Sequence, residues 1–323
     1  MTLLLTRSDI LQMINYPDVV EAVERVHAEL ASGRAVQPAP SAVTLPGSDA
    51  VFLPMTGISA GARAMAVKLL ADIPGNRERQ LPVQRSTILI TDTSTGGCEA
   101  ILDGGAITAF RTAAASAVAT RHLARSSSRV LGLIGAGGQA RAHAAAIRAV
   151  LPISEIVIWN RSRARAADLA AELGARVADR IEDVVSGVDI LCTLTPSREP
   201  LVRGAWFRPG LHVNAVGAPP RRDHREIDTE GIRRSRVVVD SRATALEKSG
   251  DVMIPVREGA ITPEHFADEL GDVVIGRCAG RRDAEQITLF NSVGVGLQDL
   301  ATARLMIDRA LANGIGTHVD LQA

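Results

Sequence analysis

The residues from Gly135 to Ala140 have the spacing of a nucleotide-binding turn that follows an apolar, strand-like run. Gly135, Gly137 and Ala140 occupy the defined positions of the pattern G-x-G-x-x-A. The first glycine permits a tight bend, the second lets a diphosphate approach the backbone, and the small third residue lets helix and strand pack closely. The N–H groups of the following helix would face the phosphates. The pattern predicts a dinucleotide site at Gly135, Gly137, Gly138, Gln139 and Ala140; a glycine loop with another ligand or none is the alternative.

The second strand of this unit indicates which dinucleotide binds. In an NAD site it usually ends in Asp or Glu, whose carboxylate binds the ribose 2′-hydroxyl. Here it ends without a carboxylate, and the residues at this point are Asn160, Arg161, Ser162, Arg163 and Arg165. Guanidinium groups bind phosphates through paired hydrogen bonds, so the segment favours NADP(H), with NAD(H) as the second option. The alternative is that these arginines only form a solvated helix start.

The composition argues against several other classes of function. The 323 residues carry 36 basic and 36 acidic side chains, and this zero net charge argues against nucleic acid or an anionic membrane as a partner. Three widely spaced cysteines and seven histidines without ligand spacing argue against a metal site. No apolar stretch is long enough to span a bilayer and the first residues lack a basic leader, so we expect a cytoplasmic protein.

The order of predicted elements indicates two domains. Residues 1–127 have an α+β pattern, with a helix at 8–32 that Ser8 would cap, followed by short strand-like runs. Over 128–296, strands and helices alternate, which predicts a doubly wound parallel sheet of the Rossmann type. A helical segment within 297–323 would complete the first domain. The sequence therefore predicts an α/β protein with a Rossmann nucleotide domain and a separate α+β domain.

Motifs spread over most of the chain resemble one known family. The segments are ILDGGAITAFRTAAASAVAT at 101–120, LGLIGAGGQARAH at 131–143, IVIWNRS at 156–162, HVNAVGA at 212–218, VVVDSRATALEKSGD at 237–251 and FNSVGVGLQDLATA at 290–302. Together they resemble the ornithine cyclodeaminase/mu-crystallin family, nearest in motif to its mu-crystallin-like imine reductase branch. The resemblance implies that the α+β domain binds substrate and forms a homodimer. It also implies a nicotinamide cofactor and a small amino acid or imine substrate.

The resemblance also assigns site residues. It implies that Lys68 and Arg111 face the substrate carboxylate and the nicotinamide as catalytic groups. The chemistry agrees, because an arginine fork holds a carboxylate in a fixed orientation and a partly buried lysine can exchange protons. The structural alternatives are an edge-strand lysine and a helix-surface arginine. Residues implied to touch the cofactor, besides the glycine turn and the basic segment, are Arg111, Thr112, Thr193, Thr195, Val216, Gly217, Ser292 and Gly294.

Two positions depart from the family pattern. This chain has Pro219 where cyclodeaminases are thought to have an aspartate that acts on the substrate amine. Because proline transfers no proton, cyclodeaminase activity is in doubt. The chain also has Pro40 where many members have a carboxylate-binding arginine. We hypothesise that Arg85 replaces this anchor and binds substrate together with Lys68 and Arg111; a substrate other than a standard α-amino acid is the alternative.

These observations lead to one predicted function and two alternatives. The prediction is an NADP(H)-dependent oxidoreductase acting on the C–N bond of a small imino or amino acid, either a ketimine or cyclic imine reductase or an amino acid dehydrogenase. Hydride would pass between the nicotinamide and the α-carbon, with Lys68 or a water supplying the proton. The alternatives are a cyclodeaminase of the ornithine or lysine type, and an NADPH-dependent binding protein of the crystallin type without turnover.

Overall fold

A computed structural model describes residues 1–219 and 221–321, and the chain divides into two compact units. The first unit comprises Met1–Arg111 and Val295–Ala323, and the second comprises Thr112–Gly294. Each unit contains its own sheet, and the two sheets differ in strand direction.

The elements before the second sheet alternate between helices and mostly antiparallel strands. They are β1 (Thr2–Leu5), α1 (Arg7–Met13), α2 (Tyr16–Ala31), β2 (Ala35–Val36), β3 (Val43–Thr44), β4 (Val51–Ser59), β5 (Ala64–Asp72), a 3₁₀ turn (Pro74–Arg77), β6 (Gln84–Asp92), β7 (Cys98–Asp103) and α3 (Gly104–Leu123).

The division between the units falls inside α3, earlier than the boundary expected at residues 127–128. The carboxyl half of this helix packs in the second unit. There, Asn214 Nδ2 donates to Thr120 Oγ1 at 3.0 Å, and Thr288 Oγ1 donates to the carbonyl of Leu123 at 2.9 Å. Residues 126–128, all serines, lie between α3 and the first strand of the second sheet.

The helix expected at 8–32 is two helices, α1 and α2. Thr6, not Ser8, caps α1: its hydroxyl accepts from the N–H of Asp9, whose carboxylate accepts from the N–H of Thr6. Asn15 caps α2, and Pro17 lies in its first turn. A proline is tolerated in a first turn because its missing N–H would have no helical partner there. The apolar spacing is therefore continuous although the helix is not.

The second unit contains alternating strands and helices. They are β8 (Val130–Ile134), α4 (Gly138–Arg148), β9 (Glu155–Trp159), α5 (Arg163–Leu173), β10 (Arg176–Val177), α6 (Ile181–Val185), β11 (Ile190–Thr193), a 3₁₀ turn (Gly204–Trp206), β12 (His212–Ala215), α7 (Thr229–Arg234), β13 (Arg236–Val239), α8 (Arg242–Lys248), α9 (Gly250–Arg257), a 3₁₀ turn (Pro263–Phe266), β14 (Asp268–Glu269), α10 (Leu270–Val274) and β15 (Thr288–Asn291).

The second unit is the predicted doubly wound parallel sheet. Its strand order is β10-β9-β8-β11-β12-β15-β13-β14, and every described pairing is parallel. The chain runs outward from β8 in both directions, so the strand order reverses at β8. Ligands of such sheets bind beside this switch point, at the carboxyl ends of the strands. The expected fold class is confirmed.

The chain then returns to the first unit as α11 (Gly296–Asn313) and β16 (Thr317–Val319). Only part of the segment 297–323 is helical, and residues 322–323 lie outside the described part of the chain. Among the described residues, no helix is long and apolar enough to cross a membrane.

The sheet of the first unit has the order β16-β1-β7-β6-β5-β4-β2, with β3 paired to β4. α11 packs against β4 and β5, and its apolar side joins the core that covers one face of the sheet. Along β5, buried residues alternate with more exposed ones, from Ala64 to Asp72. Since successive side chains of a strand point to opposite faces, this alternation places Lys68 on the covered face, between Met55 of β4 and Ile88 of β6.

Candidate active site

Lys68 is fully buried and bound by two side chains of the first unit. Its Nζ donates to Thr108 Oγ1 at 2.6 Å and to Asp299 Oδ1 at 3.0 Å. The Thr108 hydroxyl in turn donates to the carbonyl of Gly104 at 2.6 Å, which leaves its oxygen free to accept from the lysine. The ammonium group therefore has a fixed position, with one of its three donors uncommitted.

Arg111 shares the carboxylate oxygen that binds Lys68. Its Nε donates to Asp299 Oδ1 at 3.1 Å, and its Nη1 donates to Gln298 Oε1 at 2.9 Å. The amide of Gln298 is held on its other side by His27, with Nε2 atoms 3.1 Å apart. Since the Gln298 oxygen accepts from Arg111, the Gln298 nitrogen donates to the His27 ring. Arg111 Nη2 has no partner among the described residues.

The cluster of Lys68, Arg111 and Asp299 carries an excess of positive charge. All three are buried, and they comprise two cations and one anion. Burial lowers the pKa of Lys68 to about 8, Asp299 opposes this shift, and Arg111 adds to it. Burial also lowers the pKa of His27 to about 4, so the imidazole is neutral at pH 7. Because unpaired buried charge is costly, the cluster is suited to bind an anion.

The sequence prediction found both cations but missed Asp299, Gln298, Thr108 and His27. Lys68 and Arg111 are far apart in the chain and are joined by residues of α11, which no local pattern connects to them. Two polar residues in the first turn of a mostly apolar helix are the only sequence signal. Such residues are common at a helix start.

Contrary to the hypothesis, the structure does not bring Arg85 to this cluster. Arg85 pairs with Ala71 across β5 and β6, whereas Lys68 pairs with Ile88, so Arg85 lies on the opposite face of the sheet and is exposed. Pro40 is half-buried in the segment after β2. In that segment Gln37 Oε1 accepts from the N–H of Leu297 at 3.3 Å, in the first turn of α11.

The glycine turn has the geometry that its sequence predicts. Gly135 has φ +120°, and a Cβ there would lie 3.0 Å from the carbonyl oxygen of Leu194, so strain and close approach both exclude a side chain. Gly137 caps α4 without a side-chain hydrogen bond, and a Cβ at Gly137 or Gly138 would meet nothing within 4 Å. Gln139 is half-buried and Ala140 is fully buried. The start of α4 therefore presents free N–H groups to open space.

The basic segment after β9 is exposed. Asn160 Nδ2 donates to the carbonyl of Ser162 at 2.9 Å, and the Ser162 hydroxyl caps α5. Arg163 forms an exposed ion pair with Asp179, which contributes little to stability because solvent screens it. Arg161 and Arg165 have no ion-pair partner among the described residues. The sheet thus has guanidinium groups, and no carboxylate, at the end of its second strand.

A buried carboxylate that sequence reasoning missed holds the loops after β11 and β12. Glu226 Oε1 accepts from the N–H and the hydroxyl of Thr195, at 2.7 and 2.6 Å. Its Oε2 accepts from the hydroxyl of Thr193 at 2.8 Å and from the N–H of Gly217 at 2.7 Å. Burial raises the pKa of Glu226 to about 7, although the threonine donors oppose this shift. The polar groups of these threonines are therefore already committed within the protein.

Asp251 and Asp240 fix the backbone around this clamp. Asp251 Oδ1 accepts from the N–H groups of Glu226 and Ile227, both at 2.9 Å, and burial raises the pKa of Asp251 to about 6. Asp240 accepts from Ser292 Oγ at 3.2 Å and from the N–H of Gly294 at 2.8 Å. Asp251 belongs to a block whose role the sequence left open.

Apart from Thr112, which lies in α3, the remaining predicted cofactor residues lie at one edge of the parallel sheet. Loops after β8, β9, β11, β12 and β15 all begin at the carboxyl ends of their strands. Val216 is half-buried in the loop after β12, and Thr112 is buried in α3. No group of three His, Cys, Asp or Glu residues that could hold a metal ion occurs within 1–219 and 221–321.

Comparison with known proteins extends the likeness to nearly the whole chain. A model of the ornithine cyclodeaminase/mu-crystallin family matches residues 1–314. Ketimine reductase mu-crystallin of Mus musculus is 39% identical over 256 residues, which are 79% of this chain and 79% of the mouse protein.

Two solved structures have the same fold over almost their full length. Δ1-pyrroline-2-carboxylate reductase of Thermococcus litoralis, solved in complex with NADH and L-proline, has a TM-score of 0.93 and 38% identity, covering 98% of this chain and 100% of its own. An archaeal alanine dehydrogenase dimer with bound NAD has a TM-score of 0.94 and 29% identity, covering 99% of each chain.

The clamp predicts that Glu226→Gln lowers stability. The amide would turn an NH₂ group toward two of the four buried donors, and we expect a loss of about 1–3 kcal/mol in the free energy of unfolding. Urea unfolding followed by circular dichroism measures the change. Glu230→Gln is the matched control, because Glu230 forms only an exposed ion pair with Arg233. Equal unfolding midpoints for E226Q and wild type would contradict the clamp.

Proposed function

The chain belongs to the ornithine cyclodeaminase/mu-crystallin family, and from this premise we propose that it is a nicotinamide-dependent reductase of the C–N double bond of small imino acids. Ketimines and cyclic imines are the substrate classes, and the reverse reaction is an amino acid dehydrogenation. The observation that carries the proposal is the buried cluster of Lys68, Asp299 and Arg111, with its excess positive charge.

The cluster supports binding of the α-carboxylate shared by imino and amino acids. Asp299 holds both cations through one oxygen, so their positions are fixed before substrate arrives. Arg111 retains Nη2 and Lys68 retains one N–H, and both can donate to a carboxylate. Holding the carboxylate also fixes the neighbouring α-carbon for hydride transfer, which is catalysis by positioning. The first unit is in this proposal the substrate-binding unit.

The glycine turn supports a dinucleotide cofactor. Open space above Gly137 and Gly138 and uncapped N–H groups at the start of α4 fit a diphosphate, whose negative charge the helix dipole favours. When bound, a reduced nicotinamide supplies the hydride. Thr112 would touch the phosphates beside the glycine turn, and the walls of the nicotinamide side would be Thr193, Thr195, Val216, Gly217, Ser292 and Gly294. Several of these residues already donate their hydrogen bonds to Glu226 or Asp240. These residues would therefore shape the wall without offering free donors to the cofactor.

The basic segment after β9 supports NADP(H) as the preferred cofactor, with NAD(H) accepted. The Thermococcus reductase was solved with NADH and the archaeal dehydrogenase with NAD, so the preference rests on this chain's own residues. Arg161 and Arg165 have no ion-pair partner among the described residues, and a 2′-phosphate beside them would balance their charge. Arginines also oppose the dipole at the start of α5, and a bound anion would offset this repulsion.

The open face of the first sheet supports a homodimer. Ile58, Met65 and Leu69 lie on the face opposite Lys68, and they are 42%, 36% and 48% exposed. Val67 and Leu89 continue this apolar surface between them. Contiguous exposed apolar patches of this kind mark interaction surfaces. The archaeal alanine dehydrogenase is a dimer, and a second copy of this chain is the proposed partner.

The function is tested by an NADPH-oxidation screen. Substrates are pyruvate or glyoxylate with ammonia or methylamine, and pyrroline- and piperideine-2-carboxylate. We expect oxidation with at least one of them, and Arg111→Ala should raise the substrate KM about 10- to 100-fold through loss of charged hydrogen bonds. Arg34→Ala, which removes an exposed side chain, is the control. Tight NADPH binding without turnover of any substrate would instead indicate a binding protein.

The cofactor preference is tested by Arg161→Ala. We expect the KM for NADPH to rise about tenfold or more, because a charge-assisted hydrogen bond to the 2′-phosphate is lost. The KM for NADH should stay within twofold, since NADH lacks that phosphate. The control is Arg208→Ala, an exposed arginine that precedes β12 and so lies at the amino-end edge of the sheet. Equal changes for both cofactors would contradict the preference.

The dimer is tested by Leu69→Glu, which places a charge in the proposed interface. Light scattering after size-exclusion chromatography should give a dimer for wild type and a monomer for the variant, because burying an unpaired carboxylate is costly. Leu11→Glu is the matched control, since Leu11 is equally apolar and 46% exposed on α1. A wild-type monomer, or an L69E dimer, would rule out this interface.

A further inference from the structure

A small cavity with both polar and apolar lining lies at the carboxyl ends of β12 and β15 in the second unit. Its volume is about 10 Å³, enough for one water molecule. The residues that matter in its lining are Val216, Pro219, Lys248, Asp251, Asn291 and Ser292. Two of these, Val216 and Ser292, belong to the proposed nicotinamide wall, so the cavity adjoins the side where hydride would leave the cofactor.

Lys248 is an unusual residue to find in this wall. It is the last residue of α8, only 9% of its surface is exposed, and it has no hydrogen bond or ion pair with any residue of 1–219 and 221–321. A lysine at a helix carboxyl end is normally solvated, where it interacts with the helix dipole. Most of the side chain is buried, whereas its ammonium nitrogen retains contact with solvent and pairs with none of the described residues.

Two buried acceptors share the cavity with this lysine. Asp251 Oδ2 and Asn291 Oδ1 have no hydrogen-bond partner among the described residues. An ammonium donor with two acceptors is a complete hydrogen-bonding set for one water. Lys248 and Asp251 form no direct ion pair, so a water between them is the arrangement that pairs all three groups.

We propose that Lys248 is the proton donor of the imine reduction, acting through the water that Asp251 and Asn291 hold. As hydride from the reduced nicotinamide forms the new C–H bond, the C–N π electrons move to nitrogen, which takes a proton relayed from the ammonium of Lys248. The products are the amine and the oxidised cofactor, and the neutral lysine regains its proton from solvent. This assignment rests on the proposed reductase function.

The assignment separates two duties that sequence reasoning gave to Lys68. Asp299 and Thr108 hold Lys68 beside Arg111, where its charge serves the carboxylate. Pro219, at the position of the cyclodeaminase aspartate, lines the same cavity as Lys248 and has no proton to give. Burial lowers the pKa of Lys248, Glu247 opposes this shift and Arg222 adds to it, which makes the ammonium a stronger acid than that of a solvated lysine.

The first test compares Lys248→Met and Lys248→Arg on pyrroline-2-carboxylate. We expect kcat to fall about 100-fold in both, the range of general acid catalysis, because a guanidinium keeps its charge but does not release its proton. The NADPH Kd, measured by fluorescence, should stay within twofold. Glu230→Gln, at an exposed ion pair with Arg233, is the control and should keep wild-type kcat. Full activity in K248M, or rescue by K248R, would overturn the assignment.

The second test uses N-methyl-pyrrolinium-2-carboxylate, a permanently charged iminium that needs hydride but no proton. With this substrate K248M should regain the rate of wild type, since only the proton step is removed. An equal loss of rate on both substrates would show that Lys248 only supports the structure, which overturns the proposal. If wild type reduces no imine at all, the failure lies in the proposed function instead.

Discussion

One carboxylate oxygen organises the first unit. Asp299 Oδ1 binds Lys68 and Arg111 together beside the apolar core of this unit. Removing charged groups from water costs free energy that only close pairing with opposite charges can offset. Here two cations share one anion, so one positive charge has no counterpart. Three elements supply the cluster: β5 carries Lys68 on its covered face, α3 carries Arg111, and the first turn of α11 carries Asp299. The uncompensated charge is the reason why we propose an anionic substrate for this cluster.

The second unit also buries an ionisable group, in this case an acidic one. Glu226 is a buried carboxylate without a cation, and four hydrogen bonds from two loops satisfy it. A carboxylate oxygen accepts more than one donor, so a single side chain can hold two strand ends in register. Leu194, between the two threonines, contacts the glycine turn closely enough to exclude a Cβ at Gly135. The clamp therefore helps set the space in which a dinucleotide would lie.

Sequence patterns succeeded where a local requirement dictates a residue type. Gly135 needs a positive φ, and the strand–turn–helix context of 131–143 needs no distant partner to be recognised. The same reasoning failed at α1 and α2, because apolar spacing continues through the break and only the Asn15-Tyr16-Pro17 start signal marks it. It also failed at Arg85, because a one-residue difference in strand position sends a side chain to the opposite face.

The sequence by itself determined the doubly wound sheet, the glycine turn and the basic segment after β9, which follow from short-range spacing and residue chemistry. Lys68 and Arg111 were singled out by the resemblance of their motifs to the family. Only the tertiary structure decided that Asp299 pairs with both cations, that Glu226 joins two loops and that the largely buried Lys248 pairs with none of the described residues. Each of these depends on residues far apart in the chain, and burial and charge pairing exist only once packing has brought them together.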